Sequence, residues 1–144
     1  MPTIKHSALV LHTPARMYEL VNSIEHYPEF LPWCVGTEVH SRTIDEVRAT
    51  INISKSGIQQ AFTTFNRMQT NKMIELRLVA GPPLQHLEGF WRFDAVGDEG
   101  CRICLDLEFE FSNKLIDKLV RSVLDKASGT FVDAFCQRAK ALYG

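Results

Sequence analysis

Two groups of residues in the C-terminal half of the chain have types and spacings that could carry chemistry. Cys101 and Cys104 form a Cys-x-x-Cys pair, the spacing of redox-active and zinc-binding thiols. Asp106, Glu108 and Glu110 follow at alternate positions and could supply paired carboxylates for general acid–base catalysis. The direction in which these side chains point decides whether either group can function.

Alternation along residues 101–111 predicts a β-strand that is wet on one face only. The apolar face comprises Ile103, Leu105, Leu107, Phe109 and Phe111. Cys101 and Cys104 are an odd number of positions apart and should point to opposite faces, which favours structural thiols over a redox or zinc pair. The acidic residues share the outward face, where a solvated stripe is expected. The five histidines show no metal-ligand spacing, so no metal site and no catalytic residue is predicted.

A compact aromatic segment, Tyr-Pro-Glu-Phe-Leu-Pro-Trp-Cys, occupies residues 27–34. Its two prolines fix φ and remove backbone donors, so neither a helix nor a central strand should pass through it and a shaped turn is expected. Tyr27, Phe30 and Trp33 bury large apolar areas. Such a turn can either plug a core or line the mouth of an apolar cavity, and the residues alone leave both interpretations open.

This segment, with two others, resembles the START-like family that includes ubiquinone-binding proteins and ribosome-association toxins. The second segment runs from Gly81-Pro82-Pro83-Leu84 through Leu87, Gly89, Trp91 and Phe93, and is similar to the family's Gly-Pro-Phe loop and following strand. Pro83 stands where the family usually has Phe. The third segment, from Ala134-Phe135 to Tyr143-Gly144, is similar to the family's helical C-terminus. Together these matches span nearly the whole chain.

Composition indicates one ordinary globular domain over residues 1–144. The chain is 45% hydrophobic and 23% charged, with a formal net charge of −1. That charge gives no general electrostatic reason to bind DNA. The longest apolar runs are too short for a bilayer span, and the N-terminus lacks a secretion or transit signal. A cytoplasmic protein is therefore expected.

The order of predicted elements is that of an α+β protein. A first strand (3–11) is followed by a short helix (15–22), capped by Thr13 with Pro14 at its first position, and a second helical piece (23–30). Strands are predicted near 35–42, 46–54, 58–69, 72–80, 86–96 and 101–111. A helix of about thirty residues follows, with apolar residues recurring from Ile116 to Leu142, long enough at about 1.5 Å per residue to cross the sheet. Pattern and resemblance both indicate the helix-grip (START-like) fold, a curved antiparallel sheet of six to seven strands wrapped around the long helix.

The resemblance implies a non-enzymatic protein that needs no cofactor and binds a hydrophobic small molecule, ubiquinone or a related isoprenoid lipid, in support of respiratory electron transport. Its inward positions are expected to be almost wholly aliphatic and aromatic, as a lipid tail requires. The predicted ligand contacts are Tyr27, Phe30, Leu31 and Trp33 at the entrance, with Leu84, Leu87, Trp91, Phe109, Phe131 and Phe135 along the wall. Such a carrier would contact the inner membrane peripherally.

The alternative implied by the resemblance is a toxin, of a toxin–antitoxin system, that binds the large ribosomal subunit and inhibits subunit association and translation. Residues 113–144 carry six basic residues against three acidic ones, and Lys114, Lys118 and Arg121 are the predicted ribosome-facing residues. A solvated helix face would explain the same charges.

Overall fold

The computed structural model describes residues 3–31, 34–55, 58–81, 84–112 and 114–143. Within these ranges, the description covers the backbone alone for Ile4, Lys55, Ile58, Leu84, Phe111, Ile116, Asp117 and residues 119–131. The predicted site residue Trp33 and the unusual Pro83 lie outside the described residues. The predicted contacts of the Leu84, Phe131 and Arg121 side chains do so as well.

Seven strands, two α-helices and one 3-10 helix make up the described chain. The strands are β1 (Thr3–Val10), β2 (Cys34–Arg42), β3 (Glu46–Lys55), β4 (Ile58–Gln69), β5 (Met73–Ala80), β6 (Leu84–Val96) and β7 (Gly100–Phe111). The helices are α1 (Pro14–Asn22), the 3-10 helix (Ile24–Glu29) and α2 (Lys114–Tyr143). The predicted element order and the α+β helix-grip fold are confirmed.

The strands form one antiparallel sheet in the order β1-β7-β6-β5-β4-β3-β2. Strands β2 to β7 are a meander, because each pairs with its neighbour in sequence. The first strand pairs with the last, with Thr3 opposite Glu108 and Val10 opposite Cys101. Register shifts at Thr63/Thr64 and between Leu84 and His86 bend the strands, as β-bulges do, and help the sheet to curve.

The segment between β1 and β2 forms as the sequence predicts, with one difference. The Thr13 side chain accepts a hydrogen bond of 3.3 Å from the backbone N–H of Arg16, and Pro14 opens α1. The second helical piece is a 3-10 helix that contains Pro28. A short 3-10 element tolerates this proline because few of its backbone N–H groups have intrahelical partners in any case.

The core lies between the inner face of the sheet, α1 and the C-terminal half of α2. Val132, Phe135 and Ala139 of α2 are all almost fully buried, at helical spacing. They face α1 and β7, of which Met17, Ile103 and Cys101 have no exposed surface. Leu142, predicted on the apolar face, is exposed, because the last turn of α2 holds Tyr143 against His12 instead.

Candidate functional site

Phe135 of α2 is the centre of an aromatic cluster that unites three parts of the chain. Its ring centre lies 5.4 Å from that of Tyr27, 5.2 Å from that of Phe30 and 5.1 Å from that of Trp91. All three pairs are edge-to-face, the geometry that the ring quadrupole favours. Four predicted site residues, from three widely separated segments of the chain, are thus brought together.

The residues of the turn are not equally accessible. Tyr27 and Leu31 are buried, whereas Phe30 is half-buried at the edge of the cluster. The Tyr27 hydroxyl donates to the backbone carbonyl of Val21, and burial raises the pKa of the phenol far above its ordinary value of 10.0. Tyr27 and Leu31 therefore pack as core residues, and Phe30 is the described aromatic residue of the turn that keeps exposed surface.

An ionic contact also ties the turn to α2. Arg138 Nη2 donates to Glu29 Oε1 over 3.3 Å, and the other carboxylate oxygen of Glu29 pairs with His26 Nδ1. The pKa of the Glu29 carboxyl is lowered, chiefly by the hydrogen bond from His26 and further by the charges of His26 and Arg138. The turn is thus held against the helix by ring packing and by charge.

The inner face of the sheet keeps accessible apolar surface beneath α2. Leu76 of β5 pairs across to Gly89 of β6, which pairs across to Leu107 of β7. Leu76 and Leu107 are only partly buried although each strand is paired on both sides. Their exposed surface therefore faces inward, on either side of a glycine that fills no space. The same holds for other partly buried apolar residues, namely Ile51, Phe62, Leu78 and Leu87.

Gly89 cannot be replaced without disturbing this surface. A Cβ added there would lie 2.1 Å from the backbone oxygen of Asp106 and 2.8 Å from Leu107 Cα. The backbones of β6 and β7 therefore approach too closely for a side chain, and the depression between Leu76 and Leu107 is built into the sheet.

Two buried polar side chains interrupt the inward surface, which was expected to be almost wholly apolar. Thr64 and Asn66 of β4 are both 4% exposed. Asn66 lies directly across from Leu76 and Val47, and its Oδ1 atom is buried without a hydrogen-bond partner among the described residues. The alternation of β4 contained the signal, since Phe62, Thr64, Asn66 and Met68 share one face. Sequence reasoning passed over it.

The outer face carries the groups that first suggested chemistry. Cys101 is buried in the core and Cys104 lies on the opposite face beside Lys5 and Asp106, so the predicted orientations are confirmed. Burial raises the pKa of the Cys101 thiol to about 11. The pairing of β6 with β7 also places His86 Nε2 3.7 Å from Glu88 and 3.9 Å from Glu108.

These three outer-face residues could offer ligand atoms to a metal ion within 4.8 Å of one another. The sequence spacing of His86, Glu88 and Glu108 did not suggest it, because strand pairing brings Glu108 to Glu88. Arg77 already balances Glu88 at 3.5 Å, so an ion pair network accounts for the cluster as it stands.

The start of α2 presents basic side chains to solvent. Lys114 and Lys118 are exposed and lie one turn apart. A cation in the first turn of a helix opposes the helix dipole, so Lys114 is not placed for the stability of α2. Among the helices in the described part of the chain, none combines the length and apolarity that a membrane crossing requires.

The family model for polyketide cyclase / dehydrase and lipid transport proteins matches residues 10–136. The chain therefore belongs to that START-like family. Within the family it is similar to the ribosome association toxin RatA of Pseudomonas aeruginosa, at 40% identity over 98% of this chain and 97% of that protein. It is more distantly similar to the mitochondrial coenzyme Q-binding protein COQ10 homolog B of Xenopus laevis, at 25% identity over 90% of this chain and 54% of that protein.

Solved structures agree on the fold. An 18 kDa protein of Caulobacter crescentus superposes with a TM-score of 0.81 at 28% identity, over 100% of this chain and 99% of the other. The Zhui aromatase/cyclase of a Streptomyces species gives a TM-score of 0.86 at 14% identity, over 96% of this chain and 93% of the other. At such low identity the second likeness shows the fold alone.

Proposed function

We propose that the protein is a non-enzymatic, cytoplasmic ribosome-association factor that binds the large ribosomal subunit and thereby inhibits subunit association and translation. The observation that carries the proposal is the 40% identity, over nearly the full length of both chains, with a protein named as a ribosome association toxin. The name of this relative favours the ribosome function over the carrier function that the sequence first suggested.

The exposed lysines at the start of α2 supply the physical means. Ribosomal RNA presents a dense array of phosphates, and each lysine that neutralises one releases counterions and gains affinity. Lys114 and Lys118 are both exposed, and Lys114 lies in the first turn of a helix whose dipole it does not complement, so both charges can be reached by a partner. The exposed Leu115 beside them adds apolar contact area.

The interior supports binding rather than catalysis. The almost fully buried Thr64 and Asn66 carry a hydroxyl and an amide, and neither of these groups titrates near neutral pH. General acid–base chemistry needs a titratable group within hydrogen-bond reach of the reacting atom. The likeness to an aromatase/cyclase shows a shared fold alone and does not indicate a titratable group of this kind.

Co-sedimentation with purified large subunits tests the ribosome proposal. We expect Lys114→Glu/Lys118→Glu to lose most binding at low salt while its melting temperature stays close to that of the wild type, because exposed charges contribute little to stability. Lys5→Glu/Lys72→Glu carries the same charge change on the sheet side and should bind normally. Equal sedimentation of both double variants would show that the start of α2 does not contact the ribosome. If wild type does not sediment with the subunits, the ribosome proposal is contradicted.

We further propose that the protein holds an apolar ligand, ubiquinone or a related isoprenoid lipid, beneath α2. The partly exposed inward residues around Leu76, Gly89 and Leu107 favour this second function, because such surface is otherwise left in contact with water. A distant relative named for coenzyme Q binding points to the same chemistry. A peripheral contact with the inner membrane would give access to such a lipid.

Native mass spectrometry of freshly purified protein tests the second function directly. A co-purifying lipid of defined mass is the expected result. Titration with a ubiquinone analogue should also quench the fluorescence of Trp91 saturably, since this ring is part of the cluster around Phe135. An empty protein with no saturable quenching would contradict the ligand proposal and leave the ribosome proposal intact.

A further inference from the structure

We infer that Asn66 is the polar anchor of the depression between Leu76 and Leu107, and that it selects apolar ligands that present a hydroxyl group. The inference rests on the second proposed function, the binding of an apolar ligand beneath α2. It adds the chemical group by which that ligand is recognised and the residue that recognises it.

Asn66 is an unusual residue for its position. It is 4% exposed, and its cross-strand neighbours Val47 and Leu76 are aliphatic. Along β4 its inward neighbours are Thr64 and Met68. A buried amide oxygen without a partner is destabilising, so native structures rarely retain one without a compensating contact.

A row of residues paired across four neighbouring strands connects Asn66 to the depression. Asn66 pairs with Leu76, Leu76 with Gly89 and Gly89 with Leu107. Neighbouring strands are about 4.8 Å apart, so Asn66 lies roughly 10 Å from the glycine gap. A ligand whose apolar body rests between Leu76 and Leu107 can therefore place one end against the Asn66 side chain.

The unpaired Oδ1 atom of Asn66 determines which chemical group the end of the ligand must carry. Oδ1 is an acceptor, and an acceptor is satisfied only by a donor such as a hydroxyl. The four inward neighbours named above offer a single side-chain hydroxyl, that of Thr64, whereas a buried water makes two to four hydrogen bonds. Among isoprenoid redox lipids the hydroquinone presents hydroxyl donors, whereas the quinone presents acceptors only.

A matched ligand pair tests the inference. Decylubiquinol and decylubiquinone share one skeleton and differ in the two ring hydroxyls, and their affinities can be compared by fluorescence titration under anaerobic, reducing or oxidising conditions. Wild type should prefer the quinol by about fivefold, the effect of one neutral hydrogen bond. Asn66→Leu should abolish the preference, while Thr63→Val, on the outer face of the same strand, should retain it.

The stability of the unliganded variants gives a second readout. Asn66→Leu should raise the melting temperature, because it removes an unpaired buried amide from an apolar site. A lowered melting temperature would show that the amide is already satisfied in the free protein and would overturn the inference. Equal affinities in wild type, or a preference that survives in Asn66→Leu, would overturn it too. Binding of neither ligand would refute the ligand function itself.

Discussion

The guanidinium carbon of Arg138 lies 5.2 Å from the centre of the Phe30 ring, in cation–π contact. Arg138 also donates to Glu29, the residue before Phe30. One side chain of α2 thus contacts both an apolar and a charged residue of the turn, so the position of Phe30 over the cluster depends on α2.

The first prediction separates the two kinds of turn residue. Leu31→Ala should lower the free energy of unfolding by about 2–5 kcal/mol, because it truncates a side chain that is 1% exposed. Phe30→Ala should cost less and should weaken binding of a ubiquinone analogue more than it weakens folding. Leu11→Ala, at a residue 87% exposed, is the control and should change stability little. Denaturant titration measures all three, and equal losses for Phe30→Ala and Leu31→Ala would make the whole turn a core plug.

The second prediction concerns acid stability. The pKa of Glu29 is lowered in the folded protein by His26 and Arg138, so its ionised form stabilises the fold above the ordinary carboxyl pKa of 4.5. This contribution should disappear as the pH falls through the lower folded-state pKa. Glu29→Gln should melt slightly below wild type at pH 6, and the two melting temperatures should converge as the pH falls below about 4.5. A constant difference down to pH 3 would contradict the assignment.

The third prediction concerns alkaline stability. Burial raises the pKa of Tyr27, so the folded state keeps the phenol proton after the unfolded state loses its own near pH 10.0. Stability should therefore fall as the pH rises through 10. Tyr27→Phe should lose about 1–3 kcal/mol at pH 8, because the Val21 carbonyl loses its donor, and should lose less on going to pH 11 than wild type does. Parallel melting curves across this range would show that Tyr27 is not the titrating group.

The fourth prediction concerns the inner depression. Gly89→Ala should severely destabilise the protein or prevent folding, because the added Cβ would collide with the backbone of β7. Gly36→Ala is the matched control, since its Cβ would meet nothing closer than 3.5 Å and should be tolerated. Circular dichroism and thermal melting of both variants decide the matter. Comparable behaviour of the two would mean that β6 and β7 can separate at this point.

Local chemistry made much of the fold predictable. The alternation of β7, the cap formed by Thr13 and Pro14 and the long apolar repeat of α2 each reflect contacts between residues close in sequence. The orientations of Cys101 and Cys104 followed from the same two-residue period. The burial of Val132 and the exposure of Leu142 could not be predicted from the apolar pattern of α2, because they depend on where α2 leaves the sheet.

The candidate site was less predictable because it depends on pairing. The contacts of Phe135 with Tyr27, Phe30 and Trp91 unite three segments that the sequence supplies separately. The row from Asn66 to Leu107 exists only in the register that β4, β5, β6 and β7 adopt. The composition of the chain predicted an apolar interior. It could not reveal the buried amide of Asn66, because one residue has little effect on composition.

The pairing of β1 with β7 has a consequence for how the protein is made. Thr3 pairs with Glu108 and Ala8 pairs with Ile103, although all of β2 to β6 lies between these partners in the sequence. The closure of a loop this long is entropically slow, and it cannot begin until β7 has emerged during translation. The nascent chain must therefore keep its first strand unpaired while β2 to β6 form. We infer that the sheet of a protein proposed to act on ribosomes cannot be complete until β7 has left the ribosome.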